Sequence, residues 1–232
     1  MTSSEWQVLY THVRQLEEQG LVTRTFRRLD PERQEAVLVA ILEEAVEKGP
    51  TALNIKQVAS RAGVAIGSLY QYFGNRANLL DVAVELCART MIATFEQYRP
   101  YLASLPLHEG LTAYLVGGIE WSRTQVSLVR FFARAAYYGE PALEERVVRP
   151  VATLMRQMVY DMLAAGQTRG EVRQDLDLDG TTRLIHALLI AVGDAQLLPY
   201  LNTYFQVVDE DRSPEQRLDV LLDFVFNGIA PG

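Results

Sequence analysis

Between residues 65 and 76 the chain gathers side chains suited to recognising another molecule by hydrogen bonds, not to making or breaking bonds in it. Gln71 can donate and accept at once, as a bidentate contact with an adenine edge requires; Ser68 can do either, and Ile66 can meet a thymine methyl. Tyr70 and Tyr72 can press their rings on sugars and donate hydroxyl hydrogen bonds to phosphates. Gly67 permits close backbone approach, and Arg76 offers a planar cation that matches phosphate geometry. Charge places such a contact in the same part of the chain. Residues 20–78 carry eight Lys or Arg (Arg24, Arg27, Arg28, Arg33, Lys48, Lys56, Arg61, Arg76) against six acids, a net +2 within a chain whose total is −7. A phosphate backbone attracts this segment and repels the acidic remainder.

Other chemistries find no support. The run Asp175-Leu-Asp177-Leu-Asp179-Gly180 opens like a calcium loop, but the twelfth position, which needs a bidentate glutamate, is His186, and the ninth is Arg183. The aspartates read instead as caps and dipole partners of a following helix. His12, His108 and His186 are scattered singly, so no metal site is expected. Nucleophile elbow, phosphate loop and dinucleotide fingerprint are all missing, so neither a cofactor nor an enzymatic activity is expected. Cys87 stands alone and reads as a small buried hydrophobe. The N-terminus lacks the basic head and apolar stretch of a secretion signal, and Leu184 to Val192 falls short of the roughly 18 to 20 residues a membrane helix requires. A cytoplasmic protein without membrane contact is the expectation.

The elements that must position these residues are helical throughout, for apolar residues recur at helical spacing and no alternating run is bounded by hairpin turns. Trp6, Leu9, Val13 and Leu16 stripe a first helix that Gly20 ends, and a basic connector, Thr23 to Leu29, follows. Its Arg24, Arg27 and Arg28 admit two readings, a solvated linker or an arm for the minor groove. Asp30 and Pro31 start a helix lined by Val37, Leu38, Ile41, Leu42 and Ala45, which Gly49 and Pro50 stop. Asn54, with Gln57 in the capping-box position, starts a short helix to about Ala62. Gly63 makes the turn, a second short helix runs from Ile66 to about Phe73, and Asn75 caps a long helix through Met91. Two short helices across a glycine turn make a helix-turn-helix, locked by Val58, Ala59, Val64, Leu69 and Phe73. With Leu69 and Phe73 facing inward, Tyr70 and Tyr72 are expected outside.

The stretch Ile55-Lys-Gln-Val-Ala-Ser-Arg-Ala-Gly-Val-Ala-Ile-Gly-Ser-Leu-Tyr-Gln-Tyr-Phe-Gly-Asn-Arg-Ala-Asn-Leu-Leu80 resembles the TetR (tetracycline repressor-like) family of transcriptional regulators. The likeness spans roughly Pro31 to Met91 and rests on the Ala-Gly-Val turn, the Gly-Ser-Leu-Tyr-x-Tyr-Phe recognition helix and the following Leu-Leu. It implies a dimer whose paired recognition helices enter the major groove, and a helical C-terminal domain that dimerises and often binds a small effector. Two positions depart from the family pattern: Ala65 stands where a hydroxyl residue is usual, forfeiting a helix cap worth about 0.5 to 2 kcal/mol, and Arg76 stands for a phosphate-binding lysine. The candidate DNA-contacting set is therefore Asn54, Lys56, Ala65, Ile66, Gly67, Ser68, Tyr70, Gln71, Tyr72 and Arg76.

Beyond about Leu102, five further helices are expected: Leu107 to Gln125, Val126 to Tyr138, Glu140 to Ala165 with a kink at Pro150, Asp179 to Leu198, and Pro214 to Phe226, the last opened by a Ser213–Gln216 capping box. The last two have apolar faces too wide for one pair of helices to hide, so Leu188, Leu189, Val192, Leu218, Leu221, Leu222 and Val225 are assigned to a dimer interface. Tyr114, Trp121, Phe132, Tyr137, Met158, Met162 and His186 form a candidate effector pocket, with Arg123 or Gln125 as further polar anchors and space left by Gly117 and Gly118. The expected architecture is all-α: a 1–29 extension, a 30–91 helix-turn-helix DNA-binding domain and a 92–232 effector-binding and dimerisation domain. The expected activity is that of a homodimeric repressor released from a pseudopalindromic operator by a small apolar or aromatic effector. The other reading is a helical adaptor of the same fold that binds a protein partner.

Overall fold

The computed structural model describes residues 13–139, 141–209, 211 and 214–230, the side chains of 214–218 excepted. The described residues form helices and no strand. Among them no helix is long and apolar enough to cross a membrane. In chain order the elements are α1 (helical over 13–18), α2 (Arg24–Arg27), α3 (Pro31–Lys48), α4 (Ile55–Arg61), α5 (Ile66–Phe73), α6 (Arg76–Ser104), α7 (Leu107–Thr124), α8 (Val126–Tyr138), α9 (Pro141–Leu143), a π-helical turn (Glu144–Val148), α10 (Arg149–Arg169), α11 (Leu178–Leu197), α12 (Pro199–Phe205) and α13 (Pro214–Ile229). They group into two compact units, residues 1–93 with 125–150, and 94–124 with 151–232.

In the first unit the caps follow from local chemistry. The Asp30 carboxylate accepts from the Arg33 N–H at 3.0 Å and Pro31 opens α3. Asn54 accepts from the Lys56 N–H at 3.1 Å, and Asn75 accepts from the Asn78 N–H at 2.9 Å. The capping box expected of Gln57 does not form. The Asn54 N–H is taken instead by the Glu44 Oε1 of α3, at 3.3 Å. Gly63, at φ +64°, makes the turn between α4 and α5, a left-handed conformation that a β-carbon would strain. One core joins Phe26, Val37, Leu38, Ile41, Val58, Ala59, Leu69, Tyr72, Phe73, Leu79 and Val82, and Leu128 of α8 belongs to it. A smaller cluster buries Val84 and Ala88 of α6 against Phe131 and Val147. The packing thus divides the chain differently from the sequence-derived spans 30–91 and 92–232: residues 125–150 complete the N-terminal unit because their apolar side chains are buried in its core.

The helix expected over Glu140 to Ala165 with a kink at Pro150 is present as one helical run from Pro141 to Arg169, irregular just before the proline. Wider π-type turns run from Glu144 to Val148, and Pro150, which has no N–H to give to the preceding turn, stands two residues beyond them. Arg146 of the π turn donates to the Asp81 carboxylate at 2.7 Å.

In the second unit, α7 packs against α11 and α13. Leu107, Leu111, Leu115, Met158, Val159, Met162, Leu163, Ile185, Leu189 and Val225 fill its core. Asp177 caps α11 through the Gly180 N–H, and Asp179 pairs with Arg183 at 2.8 Å and Arg156 at 3.1 Å, so the aspartate run is occupied as helix start and ion pairs. No cluster of metal-ligating residues exists among the described residues. Pro199 begins a short helix, α12, that the apolar spacing does not announce. The Ser213–Gln216 capping box lies outside the described residues.

Glu171 holds the start of α7. It accepts from the Leu107 N–H at 2.8 Å and from Arg169 at 2.9 Å, contacts that keep its carboxyl below its ordinary range, the Arg169 hydrogen bond being the larger cause. A carboxyl whose folded-state value is depressed stabilises the fold above its unfolded value and loses that contribution as the pH falls through the folded one. Glu171→Gln should therefore be less stable than wild type in urea melts at neutral pH, and the gap should close as the pH drops below the ordinary glutamate value.

Candidate nucleic-acid interface

The recognition element is α5, eight residues held between Ala65 and Gly74. Ala65 supplies no side-chain cap, as its chemistry dictates. Leu69 and Phe73 are fully buried and anchor the helix. The opposite face is open: Ile66 is 41% and Tyr70 45% exposed, Gly67 and Gln71 are exposed, and Ser68 is half-buried. Ile55, Tyr70, Asn75 and Arg76 line one shallow crevice, so the ring of α5 and the cation that opens α6 stand together. Asn54, Lys56 and Ala65 are exposed as well.

Tyr72 is the exception and corrects the sequence reading. It is 8% exposed, with its ring 5.7 Å from Phe26 and 6.4 Å from Phe73. Leu69 and Phe73 do occupy the inward face of α5, but Phe26 from the N-terminal extension brings a second apolar surface to the helix, and Tyr72 fills the space between. The sequence carries one signal of this, a phenylalanine in the middle of an otherwise basic connector, Thr23-Arg-Thr-Phe-Arg-Arg. The extension also reaches the backbone of α5: Thr23 Oγ1 donates to the Gln71 carbonyl at 2.7 Å and the Thr23 N–H to the Tyr72 carbonyl at 2.8 Å.

Formal charges here are not equally available. Arg61 lies 2.8 Å from Glu47, 3.2 Å from Glu44 and 3.7 Å from Glu43, and the Glu47 hydrogen bond above all makes it hold its proton more tightly. Glu44, wholly buried, spans α4: one oxygen takes the Asn54 N–H and the other meets Arg61. A buried carboxylate robbed of such partners costs about 3 to 5 kcal/mol, so this clamp serves the position of α4. Arg27 pairs with Glu17 at 2.8 Å and Arg33 with Asp30 at 3.5 Å. Arg24, Arg28, Lys56 and Arg76 are exposed and pair with no acid among the described residues.

The other candidate residues are dispersed. Tyr114, Trp121, Met158, Met162 and His186 belong to the second unit, whereas Phe132 packs on the Val84 cluster of the first unit and Tyr137 is 48% exposed there. The seven are therefore not gathered within one unit. Gly117 and Gly118 are exposed and face open space, so they leave no gap in a core. Trp121 meets Phe95 edge-on at 5.8 Å. The Tyr114 hydroxyl and His186 Nδ1 are buried without a hydrogen-bond partner among the described residues. Burial pushes the tyrosine hydroxyl up; burial and, next, Arg156 push the histidine down, so both are neutral near pH 7.

Most of the residues assigned to a dimer interface are core instead. Leu189, Val192, Leu222 and Val225 are buried within the second unit of a single chain, and Leu188 and Leu221 are half-buried against them. The Leu218 side chain lies outside the described residues. The apolar side chains left open on the same two helices are Leu184, 70% exposed, Val220, 53%, and Phe224, 70%. The apolar faces are as wide as their spacing predicts, but α7 covers the part assigned above to a second chain.

Residues 37–83 match the model of the bacterial regulatory proteins of the tetR family. Over 145 residues, 60% of this chain and 68% of the relative, the sequence is 30% identical to the HTH-type transcriptional repressor KstR2 of Mycobacterium tuberculosis. It is 24% identical to the HTH-type transcriptional regulator YhgD of Bacillus subtilis over 58% of this chain and 71% of that one. Among solved structures, the transcriptional regulator FadR of B. subtilis, in complex with stearoyl-CoA, superposes with a TM-score of 0.56 at 18% identity, covering 84% of this chain and 99% of the other. The ketosteroid transcriptional regulator KstR2 of M. tuberculosis gives a TM-score of 0.50 at 19% identity, covering 88% and 98%.

The two tyrosines of α5 should separate cleanly. Tyr72→Ala empties a core position and should cost roughly 3 to 5 kcal/mol in denaturant melts, whereas Tyr70→Ala, at the surface, should stay within about 0.5 kcal/mol.

Proposed function

This chain belongs to the tetR family of bacterial regulatory proteins, DNA-binding transcriptional regulators, and we propose that it is a dimeric repressor that reads a pseudopalindromic operator and releases it on taking up a small apolar effector. The observation that carries the DNA-binding part is the divided surface of α5: Leu69 and Phe73 lock it into the core while Ile66, Ser68, Tyr70 and Gln71, with Arg76 beside them, face outward. Gln71 and Ser68 supply base-edge hydrogen bonds, Ile66 an apolar contact, and Tyr70 and Arg76 the phosphate contacts that set register. Asn54 caps α4, and exposed Lys56 adds a further cation. Tyr72, being buried, is a positioning residue in this scheme and not a DNA contact.

Repression is supported by the 30% identical relative, itself a transcriptional repressor. For the effector, the support is the pair of orphaned polar atoms in the second unit, the Tyr114 hydroxyl and His186 Nδ1. A buried hydroxyl without a partner costs on the order of 1 to 3 kcal/mol, a cost that a ligand carrying one polar group in an apolar body would relieve. Two structural neighbours are named with molecules that have a large apolar part, FadR with the acyl chain of stearoyl-CoA and the ketosteroid regulator KstR2. Dimerisation falls to the exposed apolar side chains of α11 and α13, Leu184, Val220 and Phe224.

Selection of duplexes from a random library should return half-sites about 34 to 36 Å apart, or a multiple of that. Gln71→Ala should relax base preference at one position per half-site; Arg76→Ala should weaken all sequences alike and flatten the salt dependence by about one unit for each phosphate the arginine neutralises. If both variants bind as wild type does, the assignment of α5 is wrong. An adaptor would show no salt-dependent shift of any duplex.

Phe224→Asp should move the protein toward monomer in light scattering while leaving its melting curve close to wild type. Leu222→Asp, which puts a charge into the core, should unfold the second unit instead.

A further inference from the structure

We propose that the extension over residues 13–29 is part of the DNA-binding surface: it braces the last turn of the recognition helix and carries Arg24 and Arg28 as two phosphate contacts outside the helix-turn-helix. This rests on the DNA-binding reading of α5 and enlarges it.

The last carbonyls of a helix have no partner within it. At the end of α5 two of them, those of Gln71 and Tyr72, are taken by the Thr23 hydroxyl and N–H, at 2.7 and 2.8 Å. Thr23 is thereby tied to the very residue whose side chain is the candidate base reader. Three more points hold the segment. Phe26 is fully buried against the rings of Tyr72 and Phe73, the Gln34 amide donates to the carbonyls of Phe26 and Arg27, both at 3.0 Å, and the Asn78 amide donates to the Gly20 carbonyl at 3.2 Å. Elements α3, α5 and α6 all grip it.

That grip decides between the two readings of the basic connector. A minor groove about 6 Å wide admits a flexible arm laid along its floor. A turn of helix held by its backbone on three other helices cannot enter it. What such a turn can do is present side chains to the phosphates that border the groove read by α5. Arg27 is not available, because Glu17 holds it at 2.8 Å. Arg24 and Arg28 are exposed and have no acidic partner among the described residues. Arg24 directly follows Thr23, so its Cα lies about 3.8 Å from that of the bracing residue. The guanidinium group, planar and always charged, fits phosphate oxygens two at a time.

The test uses the full chain, a labelled duplex selected from a random library and a scrambled duplex of equal length, with dissociation constants measured across a series of KCl concentrations. Replacing both arginines in Arg24→Gln/Arg28→Gln should flatten the plot of log affinity against log salt by nearly two units for each protomer engaged, weakening both duplexes alike. The Arg24→Lys/Arg28→Lys pair should restore most of the slope. Thr23→Val, which keeps both cations but removes the hydroxyl bond, should lower affinity for the selected duplex more than for the scrambled one. Melting curves should match wild type for the arginine variants, since both side chains are exposed. If the double glutamine variant keeps the wild-type slope while Arg76→Ala flattens it, the proposal is overturned and the reading of α5 stands. Loss of base preference at a defined position without a change of slope would mean a minor-groove arm and also overturn it. If wild type binds neither duplex, the DNA-binding reading falls and this proposal with it.

Discussion

A helix of eight residues does not hold itself together in water, where helices shorter than about 12 to 15 residues are marginal. Whatever α5 presents to a partner therefore depends on what grips it from behind. Three aromatic rings do most of this, Phe26, Tyr72 and Phe73, with centroids 5.4 to 6.4 Å apart. Aromatic pairs at such separations add about 0.5 to 1.5 kcal/mol beyond the area they bury. The geometry of the outward face is set by this junction, and one of its three members comes from a segment that precedes the matched family region altogether.

Electrostatics sorts the same unit into two faces. Glu43, Glu44 and Glu47 converge on Arg61, and Glu32 and Glu35 line the same groove of α3. Among the described residues of this unit, Arg24, Arg28, Lys56 and Arg76 pair with no acid, and neither do Lys48 at the end of α3 or Arg130 and Arg134 on α8. In a chain of net −7, four of the six acids of residues 20–78 are held in ion pairs with Arg61 and Arg33, which leaves Arg24, Arg28, Lys56 and Arg76 without acid partners among the described residues. Counting formal charge over residues 20–78 finds an excess of only two, and pairing, more than the count, makes the difference.

Much of this is legible in the sequence because it is local. Asp30-Pro31, Asn54, Gly63, Gly74 and Asn75 act within one turn of where they stand, and the helices they bound match the spacing of their apolar residues. What escapes depends on distant partners. The neighbouring Phe73 of α5 meets Tyr72 edge-on, but the outer side of its ring meets Phe26, far back in the chain. Gln57 satisfies a capping pattern, yet Glu44 takes the Asn54 N–H. Leu189, Val192, Leu222 and Val225 lie on apolar faces whose width is readable but whose partner is not: periodicity says how much surface must be covered, not whether α7 or a second chain covers it. The aromatic and methionine residues grouped by composition fall into two units for the same reason.

The return of residues 125–150 to the first unit bears on how the protein is made. Leu128 joins the core built on α3, and Phe131 and Val147 pack with Val84 and Ala88, so the first unit is not a contiguous stretch of sequence. On a ribosome adding about 5 to 20 residues per second, helices α3 to α6 emerge several seconds before α8 and the π turn that finish their core. During that interval the nascent chain carries an apolar flank on α6 that belongs to no later partner but its own. Fragments ending near Ala93 reproduce this unfinished stage permanently: they contain the whole family-matched segment and lack its far wall.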